Sequence, residues 1–288
     1  MKKKAVLFVN LLKENASVLA DKIKNELESR GHAVSVFSFE GKPKELPSGK
    51  WDIAISIGGD GTVLYAARCL APLGVPILPI NMGTFGFIAE VNSDDWLSVY
   101  NKWEKGEITP ARRCMLDVSV ERNSKIIMNN TCLNDAVISY TEIAKLIHLD
   151  VQINSNITLG SYRCDGLVIA TPTGSTAYSM AAGGPILNPE LEALILNPIC
   201  PFSLSSRPLV LPSKQTLAIT VAEERKSKVL LTVDGQDTFV LECKDKIFIK
   251  QADFSVELIF ADRSAYYSAL RNKLFWGAAE NFDGGEHA

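Results

Sequence analysis

The sequence predicts an α/β domain built on a parallel sheet over residues 1–111, followed by a β-rich domain over residues 112–262. Through the first hundred residues, apolar strand-like runs alternate with helical periodicity, the pattern of a parallel sheet covered by helices. After Pro110 the texture changes to short runs of Val, Ile, Leu and Thr broken by turn residues, several alternating apolar with polar as half-buried antiparallel strands do. A chain of 288 residues, 47% hydrophobic and 22% charged, makes two globular domains the default expectation.

In the first domain, 5–9, 33–39, 53–57 and 77–80 read as strands, and 18–27 and 63–70 as helices. Gly31, just after Ser29-Arg30, fits the end of the first helix. In the second, strands are expected at 116–121, 125–129, 136–139, 146–153, 167–171, 215–221, 228–233, 238–242, 246–251 and 255–260. Residues 266–276 return to helical spacing, with Leu270, Leu274 and Phe275 on one face, and are expected to pack back onto the first domain, so that 263–288 complete it. The polar end, 283–288, reads as frayed.

Thirty Lys and Arg against 33 Asp and Glu give a net charge of −3, which offers no basic field for a nucleic-acid backbone. The six cysteines form no C-x-x-C pair, so neither a zinc site nor a redox motif is suggested and reduced thiols are expected. Lys2-Lys3-Lys4 and the apolar run 5–9 superficially copy a signal peptide, but the run is short and lacks a small-residue cleavage site. No apolar stretch approaches the ~18–20 residues that span a bilayer. A cytoplasmic protein with no membrane partner is the expectation.

Strand 53–57 runs directly into Gly58-Gly59-Asp60-Gly61-Thr62 and then into a helix. That order points backbone N–H groups and the positive helix end at an anion, and glycine lets the backbone approach a phosphate closely. A negative Asp60 beside phosphates needs compensation, either by taking a proton from an attacking hydroxyl or by a link to a phosphate-bound Mg²⁺. The plain alternative is a tight turn in which Asp60 caps the following helix. No G-x-x-x-x-G-K-[ST] element is present, which rules out a P-loop.

A second loop follows strand 167–170: Thr171-Pro172-Thr173-Gly174-Ser175-Thr176-Ala177-Tyr178-Ser179, preceded by Arg163-Cys164-Asp165-Gly166 and followed by Gly183-Gly184-Pro185. Its hydroxyls and exposed N–H groups suit phosphate or ribose, and they equally suit an N-capped helix of small residues. Asn134-Asp135 offers an amide and a carboxylate that can grip two ribose hydroxyls, or an ordinary turn. Asp234-Gly235-Gln236 reads locally as a hairpin turn. His32, His148 and His287 have no ligand spacing and receive no catalytic or metal role; no metal-ligating residues are assigned.

These segments, with Asn81-Met82-Gly83-Thr84-Phe85-Gly86-Phe87 and the late Leu270-Arg271-Asn272-Lys273-Leu274, resemble the NAD kinase family of ATP-dependent NAD 2′-phosphotransferases over nearly the whole chain. The glycine-aspartate turn is shared with diacylglycerol, sphingosine and phosphofructo-kinases, whereas the Thr-Pro-Thr-Gly-Ser-Thr-Ala-Tyr run is far more specific. The resemblance implies a phosphofructokinase/diacylglycerol-kinase-like first domain that binds ATP, a β-sandwich second domain that binds NAD, and a C-terminal helix rejoining the first. It implies ATP and NAD as substrates, Mg²⁺ held mainly through the ATP phosphates, and a homodimer or homotetramer with sites shared across subunits. Asp60 would be the base for the 2′-hydroxyl of the adenosine ribose, with Gly58, Gly59, Gly61 and Thr62 seating phosphate. Asn134 and Asp135 would hold ribose hydroxyls, Phe87 would flank a substrate ring, and Arg163 and Asp165 would contact NAD. Thr173, Thr176, Ala177, Tyr178, Ser179, Met180 and Ala181 would line the dinucleotide site, with Gln236 nearby and Lys145 as a nucleotide contact. Asp135 stands where most members carry Glu, one methylene longer. Two rivals remain open at this point: a lipid or sugar kinase using the same turn, and a dinucleotide sensor that binds without transfer.

Overall fold

The computed structural model describes residues 2–41, 49–83, 86–141, 146–222, 228–260 and 265–274. The first region runs β1 (Lys4–Asn10), α1 (Ala16–Ser29), β2 (Ala33–Phe39), β3 (Ile53–Gly58), α2 (Asp60–Leu70), β4 (Ile77–Asn81), β5 (Val91–Asn92) and α3 (Trp96–Glu104). Strands β2, β1, β3 and β4 lie side by side and parallel. Ala5, Leu7 and Val9 of β1 face a core built with α1 and α3, while Val6 and Phe8 face another built with α2. Burial on both faces is why β1 is a near-continuous apolar run and not an alternating one.

The second region comprises β6 (Ala111–Arg122), β7 (Lys125–Cys132), β8 (Asp135–Tyr140), β9 (Ile147–Ile153), β10 (Ile157–Cys164), β11 (Gly166–Ala170), α4 (Tyr178–Ala181), β12 (Ala193–Ile199), β13 (Leu209–Pro212), β14 (Leu217–Val221), β15 (Val229–Val233), β16 (Asp237–Leu241) and β17 (Lys246–Leu258), and α5 (Ala265–Leu274) follows it. One antiparallel layer has the order β13-β12-β11-β8-β15-β16. The facing layer contains β10-β9-β14-β17, with β6 paired to β17 and β7 to β6. Alternate residues of both layers, among them Val118, Ile138, Val151, Ile169, Leu231 and Ile249, fill the core between them, which makes this region a β-sandwich. β17 also reaches into the first region, where Leu258 pairs in parallel with Ile77 of β4. The sheet therefore runs unbroken from one region to the other.

Several elements differ from the expectation. The stretches 246–251 and 255–260 form one long strand, β17, whose pairing with β6 shifts register between Gln251 and Ser255. Among the described residues, five β-strands and α-helices lie beyond those expected: β5, α3, β10, β12 and β13. Helix α3 carries a legible stripe, with Trp96, Val99 and Tyr100 buried and Trp103 partly so. β12 contains Pro198, which sits opposite Leu167 of β11; a proline without an N–H argues against a strand when the chain is read alone. β10 lies at the sheet edge and is largely exposed, so it lacks an apolar signature.

Helix α5 packs Tyr266, Ala269 and Leu270 against Phe87 of the first region and Ile186 of the second. The Tyr266 hydroxyl donates to the Leu187 carbonyl at 2.9 Å, and Asn188 Nδ2 donates to the Tyr267 hydroxyl at 2.8 Å. The helix thus closes the junction and touches both regions.

Candidate active site

β3 delivers the chain to Gly59, the extended residue that begins α2. The Thr62 N–H turns back to the Gly59 carbonyl at 2.9 Å, so the amides of Asp60 and Gly61 precede the first internal bond of the helix and lie at its positive end. Gly58 must be glycine, because a Cβ there would collide with the Thr62 hydroxyl. Lys13, in the loop between β1 and α1, spans this turn. Its Nζ lies 3.9 Å from where a Gly83 Cβ would sit, and its Cε lies 3.9 Å from the equivalent point on Gly59. No local motif in the sequence signals this lysine, and it is not among the expected site residues.

The Asp60 carboxylate does not cap its own helix. It accepts N–H bonds from Phe87 at 2.8 Å, Ile88 at 3.1 Å and Ala89 at 2.8 Å. Gly86 makes room for it, since a Cβ there would come within 2.7 Å of Asp60 Oδ1. An ionised carboxylate offers about four acceptor positions, so roughly one remains for a further partner.

In the second region the Asp234-Gly235 turn joins β15 to β16, with φ of 50° at Asp234 and 65° at Gly235, as a type I′ hairpin requires. The buried Asp234 carboxylate accepts N–H bonds from Leu133 at 3.1 Å, Asn134 at 2.7 Å and Asp135 at 3.3 Å. The second loop docks on the same segment. Thr171 N–H donates to the Asn134 carbonyl at 2.9 Å, and the Thr171 hydroxyl donates to the Leu133 carbonyl at 2.5 Å. Gly174 presses against the Asn134 backbone, where a Cβ could not fit. Residues 133–135, 171–174 and 234 are therefore one hydrogen-bonded unit.

Within that unit two buried oxygens, Asn134 Oδ1 and Thr173 Oγ1, have no hydrogen-bond partner among the described residues. Buried polar atoms are nearly always paired, so an orphaned amide oxygen and an orphaned hydroxyl in two loops docked on each other are free to accept or donate to a polar ligand. Burial, then the Asp234 charge, pushes the Asp135 carboxyl up to about 7. Burial also raises Asp234, to about 6, against the three N–H groups that favour its ionised form.

The two halves meet through Gln236, whose Nε2 donates to the Gly61 carbonyl at 2.7 Å. Behind residues 87–90 lies a cavity of about 230 Å³ lined by Glu90, Arg113, Glu190, Phe260, Tyr266 and Tyr267 among others. Burial pushes the Glu90 carboxyl up to about 7, opposed by Arg113 and Lys273. Lys273 Nζ lies 5.1 Å from the centre of the Phe87 ring, and burial lowers its ammonium against the pull of Asp60 and Glu90.

Not every expected residue joins this site. The Phe87 ring packs against α5 with Lys273 beside it and also lines a small cavity with Thr173 and Thr176, while its N–H is given to Asp60. Ser179 is fully buried, with its carbonyl accepting from Asn197 Nδ2 at 2.9 Å and its hydroxyl 3.5 Å from the same atom; it seats α4 on β12. Tyr178 is 48% exposed, Ala177 and Met180 are half-buried and Ala181 is exposed. Thr62 and Thr176 are buried. Arg163 and Asp165 are exposed at the opposite end of β11 from Thr171, with Asp165 roughly 20 Å away at the rise of an extended strand. There Arg163 lies 5.3 Å over the Phe202 ring. Lys145, Thr84 and Phe85 lie outside the described residues.

Residues 6–108 match the family described as ATP-NAD kinase N-terminal domain, and residues 133–261 match ATP-NAD kinase C-terminal domain. An NAD kinase of Treponema denticola is 40% identical over 97% of this chain and 98% of its own length. An NAD kinase of Treponema pallidum (strain Nichols) is 40% identical over 96% of this chain and 90% of its own. Among solved structures, yeast NADH kinase complexed with NADH superposes with a TM-score of 0.86 at 22% identity, covering 98% of this chain and 90% of that one. An NAD kinase from Archaeoglobus fulgidus in complex with ATP gives a TM-score of 0.71 at 23% identity, covering 94% and 99%.

Proposed function

The chain belongs to the NAD kinase family, and from this membership and the site geometry we infer how its residues divide the work of phosphorylating NAD to NADP. It is an ATP-dependent phosphotransferase that adds the γ-phosphoryl of ATP to the 2′-hydroxyl of the adenosine ribose. The first region, residues 1–111 with 263–288, takes the ATP, and the sandwich, 112–262, takes the NAD. One observation carries the assignment of roles: Gln236 holds the Gly61 carbonyl while Asp234, two residues earlier, holds the 133–135 backbone. The helix start that suits phosphate and the loops that suit ribose are thereby joined in one cleft.

The free amides at the start of α2 seat phosphate, and Lys13 adds a cation above them. Asn134, Asp135 and Thr173 hold the ribose, which supplies partners for the orphaned Asn134 and Thr173 oxygens. Asp60 uses its remaining acceptor position to take the 2′-hydroxyl proton as attack proceeds. Its three N–H partners fix the carboxylate toward the substrate without consuming that position. Nearly filled in this way, Asp60 suits a general base better than one wall of a metal cage, so Mg²⁺ would be held by the ATP phosphates, where it neutralises their charge. Transfer of this kind depends on positioning and charge stabilisation, and no covalent nucleophile is required.

A lipid or sugar kinase would share the 58–62 turn but has no use for orphaned ribose ligands in the sandwich. Arg163 and Asp165, remote from Asp60 in one chain, are assigned to the NAD site of a second subunit in a homodimer or homotetramer, in the cytoplasm. Incubating the pure protein with Mg²⁺, ATP and NAD, and reading NADP with an NADP-specific dehydrogenase, tests the reaction. NADP is expected; its absence with NAD still bound would leave a sensor.

A further inference from the structure

Helix α2 carries Asp60 at its first position and Arg68 two turns later. The Arg68 side chain is 9% exposed, and its guanidinium forks across to the β15–β16 hairpin. Nη2 donates to Gln236 Oε1 at 2.6 Å, and Nη1 lies 2.9 Å from Asp237 Oδ2. The other end of the Gln236 amide donates to the Gly61 carbonyl. Asn130 Nδ2 donates to the same Asp237 oxygen at 3.3 Å, tying the hairpin to β7. The hairpin tip is thus pinned to α2 at two points separated by two helical turns, and its Asp234 grips 133–135 at the same time.

A hydrogen bond from one nitrogen and an ion pair at the other, to two different residues, suit a planar, permanently charged group, which is what arginine offers and lysine does not. A guanidinium buried to this degree also requires its carboxylate partner. Neither Arg68 nor Asp237 belongs to the loops that face substrate. Resting on the functional reading above, we propose that Arg68 is a positioning residue: with Gln236 and Asp237 it forms a strut that sets the distance between the base Asp60 and the ribose seat at Asn134-Asp135. Each substrate finds its own half without the strut, but alignment of hydroxyl, base and phosphate across the two halves depends on it. A misplacement near 1 Å costs about 10²-fold in rate.

The test compares the full-length parent with Arg68→Ala, Gln236→Ala, the double variant and Arg68→Lys. Steady-state NADP formation is measured alongside equilibrium binding of ATP and NAD, each alone. Arg68→Ala should lower kcat roughly 10- to 100-fold while both dissociation constants stay within about 3-fold of the parent's. Arg68→Lys should recover part of the rate, because it restores the Asp237 pair without the fork. The double variant should be no slower than the worse single one, as expected for residues acting through one strut. If Arg68→Ala does not fold, Gln236→Ala, Asp237→Asn and their double variant give the same comparison from the other side of the contact. A kcat within 2-fold of the parent's, additive losses, or substrate dissociation constants that weaken in step with the rate would overturn the proposal. A parent that makes no NADP overturns the functional reading and the strut together, whereas an active parent with an unaffected Arg68→Ala overturns the strut alone.

Discussion

Asp60 and Asp234 each hold three consecutive backbone N–H groups, one aspartate in each half of the molecule, but their surroundings give the same grip different work. Asp60 stands at the positive end of a helix, partly exposed, with an acceptor position to spare. Asp234 is 6% exposed inside a hairpin turn, and the segment it organises ends in a second carboxylate, Asp135. A carboxylate with its amides therefore positions a segment wherever it occurs. It can act on a substrate only where its last acceptor position faces the cleft.

Matched substitutions separate these roles. Asp60→Asn should lower kcat by ~10²–10⁴-fold, the usual worth of a general base. Its melting temperature should fall only by the cost of one amide nitrogen facing the Phe87 N–H. Asp234→Asn presents a nitrogen to Leu133 N–H in a fully buried setting and should cost about 1–3 kcal/mol in chemical unfolding. Its rate loss should be much smaller than that of Asp60→Asn. Equal losses of rate in the two variants would erase the distinction.

The buried carboxyls add a pH test. Asp135 and Glu90 are both raised to about 7, so between their ordinary carboxylate range and pH 7 the folded chain binds protons that the unfolded chain has released. Their contribution to stability is therefore largest at low pH and is lost as pH rises toward 7, with each group weakening the fold by up to about 1.4 kcal/mol per pH unit crossed. Asp135→Asn should flatten that part of the unfolding-versus-pH curve and gain most over the parent above pH 7. The smallest effect is expected from Thr173→Val. Removing an orphaned buried hydroxyl should leave stability unchanged or slightly improved, while KM for NAD rises about 2- to 10-fold for one lost neutral hydrogen bond.

Much of this architecture is written in local pattern. The β1, β3 and β4 runs are apolar because both faces are covered, and the Gly58-Gly59 turn needs glycine because Thr62 occupies the space of a side chain. Asp234-Gly235 is legible as a hairpin from its residue types alone. What its carboxylate does is not, since its partners lie a hundred residues earlier in the chain. The same holds for Asp60, whose three donors come from 87–89, and for Arg68, whose partners lie 168 and 169 residues away at Gln236 and Asp237. Local spacing reports turn types and periodicity; it carries no record of which distant backbone will satisfy a buried charge. Phe87 and Ser179 show a related limit: aromatic and hydroxyl side chains beside a loop look alike in sequence whether they face a ligand or pack, as the Phe87 ring does on α5 and Ser179 does on Asn197 of β12.

The central claim is that Asp60 takes the proton from the acceptor hydroxyl and is not needed to hold NAD. Measuring NAD binding at equilibrium and a single turnover of ATP and NAD on the same preparation of Asp60→Asn tests it most directly. A dissociation constant for NAD within a few-fold of the parent's, with phosphoryl transfer slowed at least ~10²-fold, is the predicted result. Transfer at close to the parent rate with NAD bound would contradict it.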